Sequence, residues 1–149
     1  MKVYLASDHA GFKLKEEIKK FLLLNSYEVE DEGAFSFEKY DDYPVLIAKA
    51  AEKVSNDPSS FAVVFGKSGA GEEIVANKFK NVRAIIGFSE ENVILARQHN
   101  NANVLSLGSE FDDLEKSKKL VELFLKTPFS NEERHERRIE EINQIEERN

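Results

Sequence analysis

The chain has 149 residues, 41% of them hydrophobic and 33% charged, with a net charge of −7. This fits one globular domain with a single buried core rather than a disordered chain, and the interleaving of basic with acidic residues excludes the concentrated Lys and Arg patch that a nucleic-acid backbone needs. No apolar stretch approaches the roughly 20 residues of a membrane span, and with no cysteine there is no disulfide, thiolate metal site or thiol nucleophile.

The pattern predicts alternating strands and helices along residues 1–149, read as a single domain. Met1-Lys2-Val3-Tyr4-Leu5 enters a strand without a signal-peptide profile, which makes the cytoplasm the expected compartment. Val3–Ala6 reads as the first strand. Phe12, Leu14, Ile18, Phe21 and Leu22 make a helical stripe ending near Leu24, and Glu28–Asp31 is a short second strand. Tyr40-Asp41-Asp42-Tyr43-Pro44 is a loop whose proline opens a helix through Val54. Phe61–Phe65 is a third strand, followed by a glycine-rich turn and a helix to about Lys78. Ala84–Gly87, Glu90–Asn100, Asn103–Leu107 and Leu114–Leu125 continue the alternation as strand, helix, strand and helix. This order implies a parallel sheet covered on both faces.

From Asn131 to Asn149 the chain is rich in Glu and Arg, with apolar positions only at Ile139, Ile142 and Ile145. That narrow stripe is too little for a self-sufficient helix and enough for docking. A helix over about 131–147 is expected to pack on a second subunit of a homodimer, with further pairing into a tetramer left open; folding back on its own domain is the alternative.

The most informative segment is Gly66-Lys67-Ser68-Gly69-Ala70-Gly71-Glu72, between an apolar strand and the first turn of a helix. Glycines let backbone N–H groups crowd around an oxygen, and a helix N-terminus favours negative charge. Gly66-Lys67-Ser68 is not the end of a phosphate-binding P-loop, because that motif requires glycine where the chain has Phe61. Glu72 stands at the edge of the turn as a candidate proton carrier; complementing the helix dipole is the plainer role. In open parallel sheets ligands bind outside the carboxyl ends of the strands. There the first strand delivers Ser7-Asp8-His9-Ala10-Gly11, the third delivers the glycine turn, and the fifth delivers Gly108-Ser109-Glu110. Arg97-Gln98-His99-Asn100 closes a helix and leads into the fifth strand, so its place relative to that edge stays open. The three histidines, His9, His99 and His135, lie on different segments without metal-ligand spacing.

Ser7-Asp8-His9-Ala10-Gly11-Phe12, Asp41-Asp42-Tyr43-Pro44, Ser68-Gly69-Ala70-Gly71-Glu72, Ala76-Asn77-Lys78, the run from Ala96 to Asn103, and Arg134-His135 together resemble the ribose-5-phosphate isomerase B family, which includes the galactose-6-phosphate isomerase subunits. The resemblance implies a three-layer α/β/α sandwich, flavodoxin- or Rossmann-like, with a five-stranded parallel sheet and an extra C-terminal helix. It also implies cofactor-free and metal-free conversion of an aldose phosphate to its ketose at sites shared by two subunits, within the pentose phosphate pathway. One branch of the family uses a cysteine before the glycine loop as base. Gly66 stands there, so the resemblance assigns the base to Glu72 and ring opening to His99.

The same resemblance assigns enediolate stabilisation to the backbone of Lys67, Ser68, Gly69, Ala70 and Gly71. Asp8 and Asn100 would bind sugar hydroxyls, and Ser68 and Tyr43 would assist ring opening or shape the pocket. The phosphate falls to His9, Arg134 and Arg138, the two arginines sharing a helix face four residues apart and reaching the partner's site. Two positions depart from the family pattern: Lys67 stands for a usual glycine, and Glu110 for an arginine that helps hold phosphate. They leave open a six-carbon or unphosphorylated sugar as substrate. A non-catalytic phosphosugar-binding module is the reading from another class.

Overall fold

The computed structural model describes residues Met1–Asn149. The elements are β1 (Lys2–Ser7), α1 (Phe12–Leu24), β2 (Glu28–Asp31), α2 (Tyr43–Asn56), β3 (Phe61–Gly66), α3 (Ala70–Ala76), β4 (Ala84–Ile86), α4 (Glu90–Asn100), β5 (Val104–Gly108), α5 (Leu114–Lys126) and α6 (Glu133–Glu147). They occur in the order the hydrophobic pattern predicts. The ends shift by a residue or two, in one case for a visible reason. The third helix stops at Ala76 rather than near Lys78, because Asn77 turns onto β4. Its side-chain amide donates to the Ala84 carbonyl (3.0 Å) and accepts the Ala84 N–H (2.8 Å).

All strand pairs are parallel, in the order β2-β1-β3-β5-β4. The last two strands are exchanged relative to the 2-1-3-4-5 order of flavodoxin-like sheets. β5 is buried along its whole length and sits inside the sheet, while the three-residue β4 takes the edge. No helix is long and apolar enough to cross a membrane.

The strands are apolar on both faces, as a sheet covered by helices requires. Val3, Leu5, Val63, Phe65, Leu105 and Leu107 pack under α1, α4 and α5 with Ile18, Leu22, Val93, Leu120 and Phe124. Tyr4, Ala6, Ala62, Val64 and Val104 pack under α2 and α3 with Ile47, Ala51, Val54 and Ala76. The chain therefore folds as a three-layer α/β/α sandwich.

One charged group interrupts the first core. Lys15 on α1 is fully buried, and its Nζ donates to Asp31 Oδ2 at the end of β2 (2.7 Å) and to Glu16 (2.9 Å). Asp31 also takes the Gly33 N–H (2.9 Å), which fixes the start of the loop that carries Asp41. Burial by itself would raise the Asp31 pKa. The Lys15 hydrogen bond, the Gly33 N–H and the Lys15 and Lys19 contacts outweigh it and hold the carboxyl below its ordinary value. A folded-state pKa below the unfolded one means stabilisation that is complete above the ordinary carboxylate range and is lost as pH falls through the depressed value.

Removing one member of a buried pair strands the other's charge. Asp31→Ala is therefore expected to cost roughly 3 kcal/mol, read as a lower urea midpoint at unchanged slope. Lys15→Met with Asp31→Leu should recover most of that loss. A single variant as stable as the parent would show that the pair does not hold the loop.

Candidate active site

The glycine turn is held from two sides. β5 lies beside β3 with Gly66 opposite Gly108. Beyond the strand ends the Ser109 N–H donates to the Gly66 carbonyl (2.9 Å) and the Glu110 N–H to the Lys67 carbonyl (2.9 Å). The Ser106 hydroxyl donates to the Gly69 carbonyl (2.7 Å). Gly69 has φ of 85°, in the left-handed region that glycine enters without strain, and there the chain reverses into α3. From the other side the Tyr43 ring at the start of α2 lies on Gly71, where a β-carbon would approach the Tyr43 hydroxyl to 2.7 Å. Lys67, Ser68 and Ala70 are exposed. The Lys67 and Ser68 amides donate to no acceptor in the chain, which leaves them free for an oxyanion.

Glu72 does not point to solvent as a mere dipole-complementing carboxylate would. It is 3% exposed, and its carboxyl occupies the space that a side chain at position 66 would fill. Gly66 and Glu72 are thus a matched pair: the strand end must lack a β-carbon for the carboxyl to lie there. Burial raises the Glu72 pKa, its own backbone N–H lowers it, the negative charge of Asp8 raises it, and the Gly69 N–H lowers it. The net direction is upward. A seven-residue helix offers too small a dipole to reverse that balance. The result is a buried carboxyl with a raised pKa beside free backbone amides.

Asp8, at the end of β1, is buried and accepts the Gly11 N–H (3.0 Å), opening α1. Gly11 itself is required because a β-carbon there would meet the Phe65 carbonyl oxygen at 2.6 Å. His9 is bound by Asp41: one carboxylate oxygen accepts the His9 backbone N–H (3.0 Å) and contacts Nδ1 (2.6 Å). The carboxyl ends of β1, β3 and β5 therefore bring together Asp8, His9, Asp41, Tyr43, residues 67–71 and Glu72. Glu110 stands exposed at the mouth.

The remaining predicted residues lie at the opposite edge. His99 and Asn100 end α4, just before β5 begins at Val104. Arg83, just before β4, donates through Nε to the Asn100 carbonyl (2.9 Å), and its N–H reaches the Asn103 side chain (2.8 Å). α6 runs along this edge, where Glu146 accepts the Asn81 N–H (3.0 Å). His135 is buried with its ring 4.4 Å from that of His99 and its Nδ1 2.6 Å from the Ser130 hydroxyl. Burial, then His99, push the His135 pKa down. Arg134 and Arg138 are exposed. The strand length, roughly 15 Å at about 3.3 Å per residue, separates these groups from Glu72. One chain does not bring the two sets together.

Residues 3–142 match the family model described as Ribose/Galactose Isomerase. The chain belongs to that family. Ribose-5-phosphate isomerase B of Mycolicibacterium paratuberculosis is 42% identical over 140 residues, covering 94% of this chain and 88% of that protein. The Escherichia coli protein of the same name is 36% identical, covering 99% and 97%. Among solved structures, ribose-5-phosphate isomerase B of Mycoplasma genitalium with bound ribulose-5-phosphate superposes with a TM-score of 0.95 at 38% identity, covering 99% and 97%.

Three residues that sequence reasoning left without a role emerge here. Asp41 was visible only as part of Asp41-Asp42-Tyr43-Pro44. Arg97 is buried and fastens the end of α4 through bonds to the Ala102 (2.6 Å) and Thr127 (3.0 Å) carbonyls, placing His99 and Asn100. His135 was legible only as the neighbour of Arg134.

The contact between Glu72 and Gly66 is open to direct test. In carboxyl carbon NMR, Glu72 should titrate above the ordinary glutamate value of about 4.3, and Gly66→Ala should return it to that range by pushing the carboxyl outward. A raised pKa that persists in Gly66→Ala would contradict the observed packing.

Proposed function

We propose that the chain interconverts ribose 5-phosphate and ribulose 5-phosphate through a cis-enediolate, as a homodimer whose two sites each take residues from both copies. The observation that carries the chemistry is the buried Glu72 carboxylate beside the free Lys67 and Ser68 amides. The substrate follows from the relatives, all of the compared ones being ribose-5-phosphate isomerases B and one of them holding ribulose-5-phosphate. These relatives favour the pentose over a six-carbon or unphosphorylated sugar. A base set against an oxyanion site favours an enzyme over a mere binder.

The shared site is supported by topology and charge. At the carboxyl ends of one chain Asp8, Asp41, Asp42, Glu72 and Glu110 outnumber His9 and Lys67, a poor setting for a phosphate dianion. The exposed cations Arg134 and Arg138 stand at the other edge, which supports their supply by a second copy. The α6 stripe supports the same assembly, since Ile142 and Ile145 are 45% and 51% exposed in the single chain.

In the proposed mechanism His99 of the second copy moves a proton between the anomeric hydroxyl and the ring oxygen, and the sugar opens to the aldehyde. Asp8 and the second copy's Asn100 hold hydroxyls, with Tyr43 and Ser68 shaping the pocket. Glu72 takes the C2 proton and the electron pair forms the C1–C2 double bond. The charge on the former carbonyl oxygen is met by the backbone N–H groups of Lys67 and Ser68, the amides from Gly69 to Gly71 closing the turn behind them. Glu72 then gives its proton to C1, while the C2 hydroxyl proton passes to the oxygen on C1, leaving the ketose. His9, Arg134 and Arg138 hold the phosphate. We place the reaction in the cytoplasm, where a membrane retains phosphorylated sugars because their charge resists transfer through hydrocarbon.

Glu72→Gln keeps the shape and removes the base, so kcat with ribose 5-phosphate should fall by about 10²–10⁴. Exchange of solvent deuterium into the substrate should stop with it. In the unaltered enzyme the acid limb of kcat/KM should lie above the ordinary carboxylate range, activity rising as Glu72 ionises. Near-normal turnover by Glu72→Gln, or no conversion of ribose 5-phosphate by the unaltered chain, would refute the reading.

A further inference from the structure

We propose that Asp41 is a positioning residue that fixes the His9 ring with Nδ1 protonated, so that Nε2 alone is presented to the phosphate end of the substrate. The proposal rests on the assignment of His9 to the phosphate. Asp41 precedes α2 and His9 follows β1, 32 residues apart in sequence. A single oxygen, Oδ1, holds both the His9 backbone N–H (3.0 Å) and Nδ1 (2.6 Å). The first contact fixes where the residue sits, and the second fixes how the ring is turned.

The chemistry of the acceptor decides the tautomer. An ionised carboxylate has no hydrogen to give, so Nδ1 must carry the proton whenever the pair is formed, in the neutral ring and in the imidazolium alike. An amide at position 41 could turn and donate to a bare Nδ1, leaving the proton on Nε2. Nε2 has no partner in the chain, the His9 side chain is 33% exposed, and the Asp41 side chain is 14% exposed. The Phe37 ring stands edge-on to the imidazole at 6.0 Å and limits its rotation. Asp8, Asp41 and His9 each place one polar side-chain atom within 4.8 Å of the others. Asp8 is committed to the Gly11 amide through one oxygen (3.0 Å), which leaves Asp41 as the group that orients the ring.

In the neutral ring so fixed Nε2 is an acceptor with no hydrogen to give, so an anion is met by the imidazolium, whose Nε2–H donates while the Asp41 carboxylate balances the charge. The effect therefore belongs to binding of the phosphate group and not to proton transfer at C1 and C2.

The test is a cycle of Asp41→Asn, His9→Ala and the double variant. It uses KM and kcat for ribose 5-phosphate, the inhibition constant of inorganic phosphate, and the nitrogen-15 signature of the His9 ring. Loss of one charge-assisted hydrogen bond predicts that Asp41→Asn raises KM and the phosphate inhibition constant about tenfold or more, with kcat within about threefold. In the His9→Ala background it should add less than about twofold, because the two residues act as one unit. Additive effects would show that Asp41 acts on its own and would overturn the proposal. If His9→Ala weakens phosphate and Asp41→Asn does not, the proposal falls while the role of His9 stands. If neither variant changes the phosphate constant, the assignment of His9 fails and takes the proposal with it. The ring signature in the unaltered enzyme needs no variant to fold: a neutral resting ring protonated on Nε2 overturns the proposal, and a ring protonated on Nδ1, neutral or doubly protonated, supports it.

Discussion

Parallel strands send every strand-to-helix turn to one edge of the sheet and every helix-to-strand turn to the other. In this chain that constraint divides the chemistry. The turns after β1 and β3 place Asp8, His9 and Glu72 at the carboxyl ends, and the end of α4 places His99 and Asn100 at the amino ends. α6 follows the second edge, tied there by the Glu146 bond to Asn81 and by the adjoining, mutually tilted rings of His99 and His135. A phosphosugar has acidic groups to meet it at one edge and cations at the other, a strand's length away. Under the proposed reading the fold resolves this by pairing two copies head to edge, each completing the other's site.

Within the carboxyl-end half, the controlling contact is the one between Glu72 and the bare backbone of Gly66. It removes the carboxyl from water, which raises its pKa, while the Gly69 and Glu72 amides keep it from being stranded. Beside it the exchanged order of the last two strands matters. Because β5 rather than β4 lies next to β3, the Gly108–Glu110 turn clamps the loop carbonyls and turns the Lys67 and Ser68 amides free. The loop is rigid because its acceptors are used, and receptive because its donors are not.

Much of this was legible in the sequence. Strand and helix periods gave every element in order, since buried strands such as Phe61–Phe65 and stripes such as Leu14, Ile18 and Leu22 report burial directly. The glycine turn and its carboxylate were legible because the residue types carry their own chemistry. Less could be read where long-range contacts decide. The exchange of β4 and β5 depends on which strand is buried on both faces, and the strand count does not contain it. The place of His99 was open because a residue between a helix and a strand belongs to an edge only once the topology is known. Asp41 and Arg97 looked like ordinary loop and helix charges, and their roles depend on partners 30 or more residues away. The burial of Lys15 could not be read at all, because a buried lysine follows no periodic rule.

Under the proposed reading a complete site needs Glu72 from one copy and His99 from another. Mixing inactive Glu72→Gln chains with inactive His99→Ala chains, under conditions that let subunits exchange, measures this directly. If sites are shared across a two-fold dimer, random pairing makes half the dimers mixed and gives each of them one intact site, so about one quarter of the parent activity returns. If each chain carries its whole site, the mixture stays as inactive as its components, and the account is contradicted.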